Sequence, residues 1–169
     1  MPSAEQERYV LHLNHALAME SALVDHLAKR AAEISDPKIK QRIEQHQSET
    51  MAHRDTVRGL IEALHSQPTS GKATVQPPIS PGLIGAVKTA LEGEKEDRAL
   101  SHALADYSVE HFEAGLYAAL AQIARNLGYS DHAQQFERIR RQEQDMAEFL
   151  AGCAPEIVDE AFPPTRRAA

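Results

Sequence analysis

Hydrophobic residues recur at helical spacing in four long segments of the chain, and one segment shows the pattern without interruption. Between residues 39 and 64 the spacing alternates between four and three residues, as in a helix packed against other helices. This seam consists of Ile39, Ile43, His46, Thr50, His53, Val57, Leu60 and Leu64. Similar stripes occupy residues 13–27, 107–123 and 136–150. The pattern predicts an all-α fold, a four-helix bundle.

Proline and glycine positions indicate where the helices begin and end. Asp36-Pro37 is typical of an N-cap followed by the first helical residue, and Gly128 can end a helix in the left-handed conformation before Ser130 caps the next. Because proline breaks helix interiors, the last long helix is expected to stop before Pro155. We predict one domain over residues 1–169, with helices at about 4–34, 37–65, 95–127 and 131–151, a short helix at about 82–93 and a tail at 152–169.

A connector rich in proline, glycine, serine and threonine separates two predicted antiparallel hairpins. It runs from His65 to Pro81 and leads into the short helix. A helix of about 25 residues is roughly 38 Å long, and the connector is long enough to cross that distance outside the bundle. This predicts a parallel second and third helix, the single-crossover topology of a ferritin-like bundle. The alternative, a linker between independent hairpins, leaves apolar faces uncovered.

Each predicted helix carries a glutamate on or beside its apolar stripe. Glu20 fills a core position of the first helix, and Glu143 lies at the centre of the stripe in the fourth. The third helix has two adjoining faces, one containing Glu110 and the other Glu113. Glu49 stands beside the seam of the second helix, three residues after His46 and four before His53.

The spacing of these glutamates places them at matching heights. Glu20 and Glu49 are roughly equidistant from the Asp36 turn, and Glu113 and Glu143 from Gly128. Residues equidistant from the turn of an antiparallel hairpin lie at one level, here about 20 Å from the turn. We therefore expect the carboxylates and one or two imidazoles to converge inside the bundle.

Composition and charge narrow the classes of function. The formal net charge of −7 argues against binding to nucleic-acid phosphates. Cys153 is the only cysteine, which excludes a disulfide framework or a cysteine-based metal site within one chain and suits a reducing cytoplasm. The charged N-terminus and the absence of a long apolar stretch predict neither export nor insertion into a membrane.

Buried carboxylates without partners are costly, and like charges close together would protonate. Two divalent cations would remove this penalty, and oxygen-rich ligation with a few imidazoles suits iron, with manganese or zinc as alternatives. The predicted ligands are Glu20, Glu49, Glu110, Glu113 and Glu143 with His53 or His46, and Glu49 and Glu143 are the expected bridges. A structural network of polar side chains is the alternative interpretation.

Four motifs in the right order resemble the YciE/YciF-type ferritin-like proteins. They are Ala18-Met19-Glu20, the segment from Arg42 to Thr50, the segment from Val109 to Ala114 with Tyr117, and Glu143 with Met146-Ala147 and Phe149-Leu150. The resemblance covers nearly all of residues 9–150. It implies a ferritin-like bundle, a homodimer and an association with bacterial stress responses.

The pair Glu110-x-x-Glu113 is also similar to the third-helix pair of rubrerythrins, which reduce peroxide at a di-iron centre. The chain departs from the strict Glu-x-x-His pattern, because Ala52 follows Glu49 at that spacing and Met146 follows Glu143. The functional hypothesis is ferroxidase- or peroxidase-like oxidation of Fe(II) by oxygen or peroxide, with an external reductant. The alternative hypothesis is a non-catalytic scaffold or partner-binding protein with a degenerate metal site.

Overall fold

Four long helices make up the regular structure of the described chain. A computed structural model describes residues 3–68 and 98–162, and the short helix predicted at 82–93 lies outside these residues. The helices are α1 (Ala4–Glu33), α2 (Pro37–Ala63), α3 (Arg98–Asn126) and α4 (Ser130–Ala161). No described helix has a stretch apolar and long enough to cross a membrane.

The two tight turns form largely as their residues predict. The Asp36 side chain accepts a hydrogen bond of 2.8 Å from the Ile39 amide and caps α2, with Pro37 as its first residue. Gly128 adopts a φ of 80° and ends α3, as predicted. The predicted cap at Ser130 is wrong, because Ser130 already lies in α4 and Tyr129 precedes it without a side-chain cap. Packing holds this turn instead, since the Tyr129 ring stacks on Tyr9 at 5.7 Å.

Helix α4 continues beyond its predicted end. It runs to Ala161 with Pro155 inside it, so residues 152–161 are helical and do not belong to the predicted tail. A proline in a helix interior removes one backbone hydrogen bond, and this loss can be offset when the surrounding turns are packed. Cys153, two residues past the predicted end, is buried, which shows that packing continues along this part of α4.

Contacts between the hairpins establish the topology. Glu20 on α1 meets Tyr117 on α3, and Arg30, further along α1, meets Asp106, earlier on α3, at 2.8 Å. Residue numbers therefore rise along α1 as they fall along α3, so these two helices are antiparallel. Helix α2 is antiparallel to α1 and consequently parallel to α3. This is the predicted parallel arrangement of the second and third helices.

The interior of the bundle is divided into two apolar clusters with a charged layer between them. The larger cluster includes Tyr9, Leu13, Val57 and Phe136, and the smaller one is formed by Leu27, Ala31, Ile43, Met146 and Leu150. Along α2 and α4 the buried histidines and Glu143 fall between members of the two clusters, whereas Glu20 on α1 lies between Met19 and Leu23 of the larger cluster. The apolar clusters thus position the charged layer and shield it from both ends.

The buried face of helix α3 contains residues from both of its predicted faces. Its buried seam alternates steps of four and three residues and includes neither predicted face in full. The seam consists of Asp106, Glu110, Glu113, Tyr117, Leu120 and Ala124. Both candidate glutamates of α3 therefore face the interior.

Candidate metal centre

Four carboxylates and two imidazoles share the charged layer. Each side chain belongs to a residue that is at most 3% exposed, and they come from all four helices. The residues are Glu20, His46, His53, Glu110, Glu113 and Glu143. Six of the seven predicted site residues are thus brought together in the core.

One group of potential ligands is formed by Glu20, His53 and Glu143. Each residue offers one ligand atom, and the three atoms lie within 4.8 Å of one another. His53 Nδ1 is 2.9 Å from Glu143 Oε1 and 3.9 Å from Glu20 Oε1. A single cation placed among these atoms would contact donors from α1, α2 and α4.

A second group is formed by His46, Glu110 and Glu143, within the same 4.8 Å limit. His46 Nε2 is 3.0 Å from Glu110 Oε2 and 3.5 Å from Glu143 Oε2. Glu143 therefore belongs to both groups, with Oε1 facing His53 and Oε2 facing His46. A carboxylate shared in this way could offer one oxygen to each group of potential ligands.

Several potential ligand atoms in this layer are buried without a hydrogen bond of good geometry, although His53 Nδ1, Glu143 Oε1 and Glu110 Oε2 each lie 2.9–3.0 Å from an oppositely charged group. They are Glu20 Oε2, Glu110 Oε2, His53 Nδ1 and both oxygens of Glu143. Buried polar atoms are normally hydrogen-bonded, and a free lone pair in the interior costs about 1–3 kcal/mol. A mixed carboxylate and imidazole donor set with unused lone pairs fits divalent metal ions.

Electrostatics also show a layer that lacks positive charge. Burial, followed by the charge of Glu143, raises the pKa of Glu20 to about 8. Burial raises the pKa of Glu110 to about 7 although His46 opposes the shift. Burial and the neighbouring carboxylates raise the pKa of Glu113 well above its usual value. Without cations, these groups are driven towards their protonated forms.

The pKa values of the two histidines are raised as well, which for an imidazole favours the charged form. Burial by itself would lower the pKa of His46, but the adjacent Glu110 and Glu49 carboxylates outweigh it and raise the pKa to about 10. The pKa of His53 is also raised, because Glu143 and Glu20 outweigh the effect of burial. Both imidazoles take up positive charge that a metal ion would otherwise supply.

Glu49 lies at the edge of the layer and belongs to neither ligand group. Its carboxylate accepts hydrogen bonds from Gln45 at 2.8 Å and Arg42 at 3.1 Å, and it lies 3.2 Å from His46 Nδ1. The contact with His46, followed by Gln45 and Arg42, lowers the pKa of Glu49 to about 2 despite partial burial. In this position Glu49 orients His46 so that Nε2 faces Glu110 and Glu143.

The sequence matches the family described as Domain of unknown function (DUF892) over residues 4–162. The chain belongs to this family. A search of curated proteins found no match. Among solved structures, a protein from Xanthomonas campestris pv. campestris is 29% identical, covers 94% of this chain and 96% of its own, and has a TM-score of 0.75.

A second solved structure relates this DUF892 chain to a known fold. It is described as ferritin like, diiron-carboxylate proteins from Bacillus anthracis, with 16% identity, coverage of 90% of this chain and 99% of that chain, and a TM-score of 0.66. The likeness shows that the DUF892 chain has a ferritin-like fold. The predicted fold class is therefore confirmed, and the narrower resemblance to YciE/YciF-type proteins stays a prediction.

Two side chains of the DUF892 site were not among the predicted ligands. The Tyr117 hydroxyl donates a short hydrogen bond to Glu20 Oε1, and burial and this contact raise the pKa of Tyr117 well above its usual value. Gln142 Oε1 lies 3.0 Å from His53 Nε2. Tyr117 lies on a predicted stripe but is indistinguishable there from a core aromatic, and Gln142 lies off the stripe of α4. Only the packing of helices reveals their roles.

Proposed function

We propose that this DUF892 protein binds two divalent metal ions in the charged layer. Glu20, His53 and Glu143 would hold one ion, and His46, Glu110 and Glu143 the other. Glu113 would supply a further carboxylate, because it is buried at the same level and senses the charges of Glu143, Glu20 and Glu110.

The observation that carries the proposal is the burial of four carboxylates with only two imidazoles to neutralise them. Within residues 3–68 and 98–162, the only ion-pair partners of Glu20, Glu110 and Glu143 are His46 and His53, and Glu113 has none. Two histidines cannot balance four carboxylates. Two divalent cations would compensate this charge and use the unpaired oxygen lone pairs.

Iron is the proposed metal, with manganese and zinc as alternatives. Carboxylate oxygens with one imidazole per ion are a donor set that suits iron and manganese. The likeness of fold to proteins described as diiron-carboxylate supports this choice.

The proposed chemistry is oxidation of Fe(II) by peroxide or oxygen. Bound iron would supply one electron per ion, so that two ions reduce one peroxide, with two protons, to two waters. Around it, Tyr117 holds the Glu20 carboxylate, while Glu49 and Gln142 fix the orientation of His46 and His53. We extend the proposal to stress protection by a homodimer, which the YciE/YciF resemblance implies, in a reducing cytoplasm, which the single cysteine suits, with an external reductant.

A non-catalytic scaffold is the second candidate function. It is favoured by α4, where the fully buried Met146 stands at the spacing at which a strict Glu-x-x-His motif has histidine. Both imidazoles come from α2, and Glu49 is neutralised by Arg42. Such a layer would serve as a polar network that specifies the packing of the bundle.

Metal titration of the full chain separates the two candidates. The wild-type protein should bind about two Fe(II) or Mn(II) ions per chain under anaerobic conditions, measured by calorimetry and elemental analysis. Glu143→Gln should lower the metal affinity of both sites by more than about 100-fold. Loss of a residue that only orients a ligand lowers metal affinity by about 10–100-fold, and Glu143 is proposed to be a direct ligand of both ions. Peroxide consumption with Fe(II) tests the oxidation.

The matched control is Glu148→Gln, which changes an exposed glutamate on the same helix and removes the same charge. It should bind metal as the wild-type protein does. A folded wild-type chain that binds neither ion would exclude the metal centre in favour of the scaffold. Stoichiometric metal without oxidation would leave the metal site standing and overturn the proposed chemistry.

A further inference from the structure

A cavity of about 540 Å³ opens between α2 and α4 on the side of His53. Its polar lining includes His53 and Thr56 from α2 and Gln135 and Gln142 from α4. This volume lies within the range of small-molecule sites, which are about 300–1,000 Å³. The cavity shares His53 with the first group of potential ligands and contains no member of the second.

The ring of His53 connects the cavity with the charged layer. Its Nδ1 lies 2.9 Å from Glu143 Oε1, inside the layer, and its Nε2 lies 3.0 Å from Gln142 Oε1, at the cavity wall. A molecule seated in the cavity would therefore lie one imidazole away from the carboxylates. Gln142 holds the ring in this orientation through its amide oxygen.

The charged lining of the cavity is predominantly positive. It contains two guanidinium groups, Arg138 and Arg141, and one carboxylate, Asp145. Within residues 3–68 and 98–162, neither arginine forms an ion pair, although the neighbouring Arg140 pairs with Glu137. Both guanidiniums are exposed, and the charge of Arg141 also lowers the pKa of Glu137, which does not line the cavity. They attract anions and disfavour the approach of free metal cations.

We propose that this cavity is a binding site for a small molecule that carries an oxyanion group, held by Arg138 and Arg141 above His53. Guanidinium groups present fixed pairs of N–H donors that match carboxylate and phosphate oxygens. Thr56 and Gln135 add a hydroxyl and an amide that can bind the polar remainder of the ligand. Anion binding itself does not depend on bound metal. The role of the cavity as the binding site of a co-substrate or reductant rests on the proposed function.

The test is a titration of the metal-free, full-length protein at fixed pH, followed by heteronuclear NMR. The probes are inorganic phosphate and, separately, acetate, at constant ionic strength with chloride as the background anion. We expect saturable shifts of the resonances of His53, Gln142 and the cavity arginines. Preference for phosphate or for acetate identifies which kind of oxyanion the site takes.

The variant Arg138→Gln/Arg141→Gln should weaken binding by about ten-fold or more, since it removes charge-assisted hydrogen bonds. The control Arg8→Gln/Lys29→Gln removes the same charge from exposed positions on α1 and should bind like the wild-type protein. If both variants weakened anion binding equally, the effect would come from the net charge of the protein rather than from the cavity, and the proposal would be overturned. Shifts that are not saturable, or that map outside the cavity, would also overturn it.

Elemental analysis after loading with Mn(II) separates this proposal from the metal centre. Saturable anion binding in a protein that takes up no metal would preserve the anion site and refute the metal centre. Stoichiometric metal binding in a protein that shows no saturable anion binding would support the metal centre and refute the anion site. Both arginines are exposed, so their replacement leaves folding intact, and thermal unfolding of each variant verifies this.

Discussion

Replacing Glu20 by glutamine should stabilise the metal-free protein at neutral pH while weakening its binding of metal. Burial and Glu143 raise the pKa of Glu20 from 4.5 to about 8. At pH 7 the carboxyl must therefore take up a proton on folding, which costs about 1.4 kcal/mol for each pH unit above 4.5, or roughly 3 kcal/mol. Glutamine avoids this cost and still offers Tyr117 an acceptor oxygen.

The pH dependence follows from the direction of the shift. Between pH 4.5 and about 8 the folded chain binds more protons at Glu20 than the unfolded chain, so the wild-type stability contributed by this group falls as pH rises. The advantage of Glu20→Gln should be close to zero at pH 4.5, about 3 kcal/mol at pH 7, and no larger than about 5 kcal/mol above pH 8.

Urea unfolding of chelator-treated protein at pH 5 and pH 7 measures this difference. With a slope of about 1–3 kcal/mol per molar urea, the midpoint of the variant should exceed that of the wild type by about 1 M or more at pH 7. With Mn(II) present the order should reverse, because the wild type gains the free energy of binding. Two results would refute the reasoning: a metal-free Glu20→Gln protein that is less stable than the wild type, or a shift of the urea midpoint that is equal at pH 5 and pH 7. Glu148→Gln is the control and should have the wild-type midpoint.

Two further predictions concern the frame that positions the site. Asp106→Asn should cost about 2–3 kcal/mol in urea unfolding, because Arg30 loses its partner between α1 and α3. Burial by itself would raise the pKa of Asp106, but His26 and Arg30 outweigh it and lower the pKa. The Asp106 carboxylate therefore stabilises the folded chain above pH 3.8, and this stabilisation is lost as the pH falls below that value. The Asp106→Asn variant should not show this loss of stability in acid. Gly128→Ala should cost about 1–2 kcal/mol of stability because φ is 80° at this position. Gly115→Ala should stabilise the protein by about 0.5–1 kcal/mol, because Gly115 lies in a helix interior with open space around it. Thermal unfolding measures both effects, and equal shifts of the midpoint in the two variants would contradict this explanation.

The helices and the depth of the charged layer could be predicted from local patterns. Heptad spacing defines the core face of α2, and Asp36 and Gly128 place the two turns. Once the turns are located, the 1.5 Å rise per residue determines which residues lie at one height in each hairpin. The core position of Glu20 in the first hairpin and of Glu143 in the second follows from these local rules.

The assembly of the site depended on how the two hairpins pack, and periodicity alone does not contain that information. The spacing of Glu49 suits a bridge, yet α2 is rotated so that His46 and His53 face the interior and Glu49 stays at the edge beside Arg42. Glu143 reaches both histidines because α4 packs against α2. Helical spacing determines the angle of a side chain only to within a broad face, whereas the position of Glu143 between both histidines and of Glu49 at the edge depends on shifts of a few ångströms that only close packing among four helices decides.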